Sequence, residues 1–262
     1  MKRIGAIVRR EYLSYFKSPI GYIILAMFVL VTSFVFVMDL QYQYSDIGTV
    51  LMSVQTILFM VIIPMITMRS FSEERKGGTE VLLLTSPASV FEIVMGKFLA
   101  SFSLLLTMTA TSVVYILFTL GFGGTVDAKT LGAYLGFIFI GAAYLSIGIF
   151  ASSLTENQVI SAIVTFGIIF MLVLLDGIAS IISSVISTFV DKVNVFGLTD
   201  LQIDSLSTKV TEIISWPNPS ARLSGFSSGI FELTPIVFFI SLISIFVFLT
   251  MRVIEKRRWT QK

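Results

Sequence analysis

Six apolar runs constrain this chain more than any other feature. They lie at approximately 20–38, 49–68, 93–121, 131–154, 157–175 and 233–252. Crossing roughly 30 Å of hydrocarbon takes about 20 residues of helix, which each run supplies. Lipid offers no partner for an open backbone N–H or C=O, so an isolated apolar run of this length spans as a helix. The runs predict an all-α polytopic membrane protein: a single transmembrane domain over 1–262 with six transmembrane helices. Composition agrees, with 55% of residues hydrophobic and 13% charged, against about 25% charged in a soluble domain.

Lys and Arg orient the spans. Lys2, Arg3, Arg9, Arg10 and Lys17 precede the first run. Arg69, Arg75, Lys76 and Lys97 surround the second connection, and Arg252, Lys256, Arg257, Arg258 and Lys262 end or follow the last run. Only Lys129, Lys192, Lys209 and Arg222 fall on the other side. The positive-inside rule then places both termini and the 69–92 loop in the cytoplasm. The first run exceeds the 7 to 15 residues of a signal h-region, and no small-x-small site follows it, so it is expected to remain as a span. Residues 1–18 predict an amphipathic helix at the inner interface. In IGAIVRREYLSYFK, Ile4, Ile7, Val8, Tyr12, Tyr15 and Phe16 gather near one face, with most basic residues on the other. The alternative is the start of one long first helix. Ser18-Pro19 supplies an N-cap and an N1 proline for span one. Thr155-Glu-Asn-Gln158 is all that separates spans four and five, so those two also read as one helical hairpin.

The densest polar cluster, RSFSEERKGGTEVLLLTSP at 69–87, sits between spans two and three. Gly77-Gly78 permits a sharp bend between a charged piece, 72–76, and an apolar piece, 79–86. Thr79 is placed as an N-cap, Glu80 suits the positive end of a helix dipole, and Pro87 stops the helix near Ser86. Ser89-Val-Phe-Glu92 is a capping box opening span three. A loop built from short helices with defined ends suits docking, with Glu73, Glu74, Arg75 and Lys76 setting register against a partner's charges. In the competing reading these charges pair with each other, and Val81 to Leu84 only touch headgroups. Pro64 marks a kink or hinge just before the loop. Gly132 and Gly136 allow close helix contact, more simply within the chain than across a dimer seam.

The segment ITMRSFSEERKGGTEVLLLTSPASVFEIVMGKFLA resembles the stretch between the second and third spans of type-2 ABC (ABC-2) export permeases. FKSPIGYIILAMFVL at 16–30 and ISLISIFVFLTMRVIEKRRW at 240–259 resemble the gliding-motility-associated branch of that family. The resemblance covers roughly the first 175 residues and the last 30, and leaves 180–215 unmatched. It implies that the loop carries a coupling helix seated on a separate ABC ATP-binding subunit, with Phe71, Glu73, Glu74, Arg75, Thr79 and Glu80 as the contacts. It also implies two permease chains per transporter, identical or paralogous, in the bacterial cytoplasmic membrane. Reversing the charges of Glu74 and Arg75 is expected to uncouple transport while leaving the protein inserted.

The missing chemistry fits. The chain has no Cys and no His, which removes thiol chemistry and the commonest general base and metal ligand. The sole Gly-Lys, Gly96-Lys97, is followed by Phe98, with Phe91 where a P-loop needs its first glycine. ATP and its magnesium are therefore expected on the partner, and this chain is expected to be no enzyme, with no cofactor, metal site or nucleic-acid partner of its own. The six runs carry no Asp, Glu, Lys or Arg except Lys97 and Arg252, the last residue of the sixth run. Proton- or sodium-coupled carriers place ionisable groups there, which disfavours an ATP-independent channel or carrier. The expected function is a permease exporting an unknown substrate, lipid-like or peptide. The rival is an ATP-coupled envelope-assembly or force-transmitting module that moves no substrate. Residues 176–232 form the one sizeable extracytoplasmic segment, read as a gate or lid, or equally as a connector folded over the bundle.

Overall fold

A computed structural model describes residues 2–41, 47–81, 87–193 and 200–260. Among these the regular structure is helical, with no strand. Helix α1 spans Lys2–Lys17, α2 Pro19–Gln41, α3 Ile47–Thr67, α4 Ser72–Lys76, α5 Val90–Gly121, α6 Ala128–Leu154, α7 Gln158–Val193, α8 Asp200–Ser215 and α9 Leu233–Thr260. Six of them, α2, α3, α5, α6, α7 and α9, are long and apolar enough to cross a membrane. The chain divides into two compact units. One runs to Phe166 and resumes at Gly225; the other is Gly167–Ser224.

In the larger unit α6 is the central post, with every residue from Ile140 to Ile149 buried. Its sequence explains this. Glycines, alanines and serines leave room for neighbouring helices to approach. A Cβ added to Gly141 would meet Leu105 Cδ2 of α5 at 2.6 Å, and one on Gly148 would meet Thr67 Oγ1 of α3 at 2.3 Å. Gly132 lies as close to the Phe226 carbonyl. Gly136 is buried in the same helix. Aromatic rings fill the space between these contacts. Phe59 and Phe137 are 4.5 Å apart between centroids, and Phe139 stacks on Phe239 of α9 at 5.7 Å.

Helix α1 is separate from α2, and one face of it packs on α5. Ile7 sits over Gly96. Tyr12 Oη and Thr107 Oγ1 are 2.8 Å apart. Tyr15 is buried, and its hydroxyl donates to the Ile66 carbonyl at 3.1 Å. Burial pushes that phenol up to about 12. The chain turns from α1 into α2 through Ser18 alone. A Cβ at Gly21 would lie 2.6 Å from the Tyr15 carbonyl. Pro19 is the first residue of α2, as expected, while the side chain of the residue before it turns away from that helix. The Ser18 hydroxyl points back toward α1, accepting from Arg69 Nη1 at 3.1 Å and lying 3.3 Å from the Tyr15 carbonyl.

The junction of α6 and α7 is two helices with a short turn between them. Asn157 Oδ1 accepts from the Val159 N–H at 2.9 Å and caps α7. Helix α7 then continues past 175 to Val193, so the segment expected to begin at 176 starts as a continuation of the span-five helix. Asp176 ended the apolar run, but GIASIISSVISTFV follows it without a proline or a further charge, and one charge does not break a helix. The short helix expected from Thr199 is α8; Thr199 itself lies outside the described residues.

Candidate functional site

The expected coupling loop begins where α3 ends. Pro64 is buried in the last turn of that helix, and the Met68 N–H donates to its carbonyl at 2.9 Å. The chain turns and enters α4, a five-residue helix with Glu73 and Glu74 in its first turn and Arg75 and Lys76 in its last. That order suits the helix dipole at both ends. So short a helix does not hold itself together, and the surrounding helices hold it. Ser152 of α6 accepts from the N–H groups of Phe71 and Ser72 at 3.0 and 3.3 Å, capping α4 from another helix. Gly77 closes the far end by donating to the Glu73 carbonyl at 2.9 Å. Gly78 has φ +68, where a side chain is strained and glycine is not. The Thr79 hydroxyl donates back to the Glu74 carbonyl at 3.2 Å. Glu80 and Val81 begin the next helical turn. The rest of the expected apolar piece, 82–86, lies outside the described residues. The expected capping box at the start of α5 is formed: Glu92 N donates to Ser89 Oγ at 3.2 Å, and Ser89 N to Glu92 Oε2 at 2.9 Å.

Lys97 is the hub beneath α4. It is 2% exposed. Its Nζ lies 3.0 Å from Glu74 Oε1 and 3.4 Å from Glu11 Oε1, and donates to the Ser70 carbonyl at 2.5 Å. The Phe71 ring centroid is 5.1 Å away. Arg10 Nη2 closes the cluster, 2.6 Å from Glu11 and 3.4 Å from Glu74. One lysine of a spanning helix thus ties α1, the α3–α4 turn and α4 together. A cation in an apolar span is costly unless paired, and here two carboxylates, a carbonyl and a ring face it. Burial pushes the Glu11 carboxyl up; Lys97 and Arg10 more than reverse this and hold it below its ordinary value.

A second cluster holds the other end of the turn. Arg75 Nη2 pairs with Glu156 Oε1 at 2.6 Å, and its Nε lies 3.9 Å from Glu80 Oε2. Glu80 Oε1 pairs with Arg257 Nη1 of α9 at 3.1 Å, and Arg257 Nη2 also donates to the Ser153 carbonyl. Between the turn, the α6–α7 junction and the end of α9 lies a groove of about 660 Å³, with Val81, Leu154 and Val253 among its apolar walls and Arg75, Glu156, Lys256 and Arg257 among its polar ones.

This geometry leaves only part of the expected contact set at the surface of the chain. Phe71 and Glu80 are buried, and the Glu74 side chain is 19% exposed. These three spend their side chains inside the chain. Lys97 takes the Glu74 carboxylate and the face of Phe71, and Arg257 with Arg75 takes Glu80. Reversal of Glu74 and Arg75 would therefore break internal ion pairs and is no clean test of docking. Glu73 (paired among the described residues with Arg69 at 2.6 Å), Lys76, Gly77, Gly78, Thr79 and Val81 remain exposed. Gly132 and Gly136 are not part of the site. Gly132 is sixteen residues before Gly148 on α6, about 24 Å along the axis. Glu11, Arg10, Glu156 and Arg257 belong to the site and were not singled out from sequence. The available signal was Lys97 itself, since a lysine in a span demands acidic partners.

A family model described as an ABC-2 family transporter protein matches residues 6–256 of this chain. The match does not distinguish the gliding-motility branch from the rest of the family. No curated protein matches the chain.

Proposed function

Because the chain belongs to the ABC-2 family of transporter proteins, we propose that it is the permease subunit of an ATP-driven exporter whose ATP-binding subunit docks on the exposed side of the α4 turn. ATP and magnesium belong to that partner, and a second permease chain completes the transporter in the bacterial cytoplasmic membrane. Both termini and the 69–92 loop face the cytoplasm. Closure of the ATP-binding subunits pushes on α4. The push passes through Lys97 to α5 and through Ser152 to α6, and the substrate, lipid-like or peptide, leaves outward.

The observation that carries this reading is mechanical. Helix α4 is anchored on its inner side to α1, α5 and α6, while Glu73, Lys76 and Val81 stand exposed. A short helix tied to several spans transmits a push without buckling, whereas a free loop absorbs it. Pro64, Gly77 and Gly78 bracket the lever as its hinges.

The test is a mild-detergent pull-down from native membranes with mass spectrometry. A P-loop chain is expected to copurify and to be released by the Glu73→Lys/Lys76→Glu double variant, which spares the Lys97 and Arg257 clusters and breaks only the exposed Glu73–Arg69 pair. Absence of any P-loop chain under conditions that preserve membrane complexes overturns the reading. Retained ATPase binding with no substrate-stimulated hydrolysis overturns export and favours an envelope module.

A further inference from the structure

Helix α1 has two faces, and the chain uses only one of them internally. Ile7, Tyr12 and Tyr15 meet Gly96, Thr107 and Ser101 of α5. Glu11, the one acidic residue of the helix, turns to Lys97. The other face carries Ala6, Arg9, Arg10, Leu13 and Lys17, all exposed and spaced three or four residues apart. Arg10 pairs with Glu11 and Glu74. Arg9 and Lys17 take no carboxylate among the described residues. On one helix they stand about 12 Å apart along the axis, with Leu13 between them, 42% exposed. Cation, apolar residue, cation is a row that matches a surface charged on the outside and oily just beneath.

The position of the row identifies that surface. Ser18 alone separates Lys17 from α2, which is long and apolar enough to cross a membrane. With α2 crossing from Pro19, Lys17 comes at the depth of the headgroups. Aromatic rings mark the same level. The Phe16 ring lies 5.2 Å from that of Tyr12 and 5.7 Å from that of Tyr22, and Tyr22 is exposed beside exposed Ile23 in the first turns of α2. Tyrosine rings gather at the boundary between headgroups and hydrocarbon because they are apolar in body and polar at the tip.

We infer that the Arg9–Leu13–Lys17 face of α1 binds the headgroups of anionic phospholipids, with the two cations on phosphates and Leu13 between the upper acyl chains. The face suits the cytoplasmic leaflet, whose surface is the negative one. A Lys or Arg held near such a surface strengthens attachment about fivefold, so the pair supplies roughly 25-fold at low salt and less as salt rises. The opposite face of the same helix holds Glu11 3.4 Å from Lys97 Nζ. Lipid on the outer face therefore backs the Lys97 cluster, and with it α4, against the membrane surface. This role of α1 rests on the cytoplasmic N-terminus proposed above and not on an ATP-binding partner; a pull-down without a P-loop chain leaves it standing.

The test exploits the absence of cysteine from the chain. Leu13→Cys places a single thiol-reactive fluorophore in the row of the full-length protein. The labelled protein is set in phosphatidylcholine nanodiscs that carry equal fractions of either nitroxide-labelled phosphatidylglycerol or nitroxide-labelled phosphatidylcholine, and quenching of the fluorophore is measured. The anionic lipid is expected to associate at least about fivefold more strongly than the neutral one, with the preference shrinking at high salt. Arg9→Gln/Lys17→Gln removes both charges without touching an internal ion pair. It should abolish the preference and leave the melting point unchanged, while the charge-preserving Arg9→Lys/Lys17→Arg keeps the preference. Equal quenching by the two lipids, or a preference that survives the double Gln variant, would overturn the inference. Quenching by neither lipid would also overturn it, by showing that the face stands clear of the bilayer and is left to an acidic protein surface.

Discussion

Replacing Lys97 by Met tests the anchoring of α4 most directly. The change keeps the length and bulk of the side chain and removes the charge. Glu11 and Glu74, both within 3.4 Å of Nζ in the native protein, would then face each other with only Arg10 between them and solvent. Removing one partner of a buried ion pair costs about 3–5 kcal/mol, because a charge is left uncompensated. For chains near this size about 1 kcal/mol moves the melting point by roughly 2–4 °C. The expected drop is therefore roughly 6–20 °C, measured by following aggregation or tryptophan emission of the detergent-solubilised protein on heating. The triple variant Lys97→Met/Glu11→Gln/Glu74→Gln removes all three charges, and should recover most of the loss if the penalty is electrostatic. The pH dependence follows from Glu11. Its folded pKa lies below its ordinary value of 4.5, so its contribution to stability is present above that value and is lost as pH falls through the folded pKa. Glu11→Gln should flatten that part of the acid limb. A Lys97→Met protein melting within about 2 °C of the native one would refute the anchoring argument. Failure of the triple variant to recover would show that the lysine's packing, rather than its charge, holds the turn.

Three further outcomes are expected. Gly148→Val should destabilise by about 1–3 kcal/mol, since even the first added carbon lies 2.3 Å from Thr67 Oγ1 and 2.8 Å from its Cβ. Normal melting and ATPase stimulation in that variant would show that α3 and α6 separate freely. Ser89→Ala removes half of the capping box and should cost about 1 kcal/mol, read as a small melting shift with ATPase binding retained. Arg257→Ala releases Glu80 and the Ser153 carbonyl together. Hydrogen exchange at 75–81 should then rise while exchange in α5 stays unchanged, and unchanged exchange at 75–81 would count against the second anchor.

Much of the fold was legible in the amino-acid sequence because membrane spans, caps and breaks are local signals. Apolar length alone gives the six helices. Ser89 and Glu92, three residues apart, give the start of α5, and the absence of a P-loop lies in the string itself. What the tertiary structure decided is who meets whom. Lys97 and Glu11 are 86 positions apart, and Arg257 and Glu80 are 177 apart; nothing local pairs them. The polar loop looked like a surface of free charges because a sequence does not show which charges a neighbouring helix has already taken. The structure answers that for Phe71, Glu74 and Glu80, which are turned inward, and leaves Glu73 and Lys76 outside. It also extends α7 beyond Asp176, where hydropathy stopped, because a helix ends where its backbone loses partners and not where one charge appears. Local chemistry determined the elements of this protein; the anchoring of α4 arose only when distant side chains were buried together and had to satisfy one another.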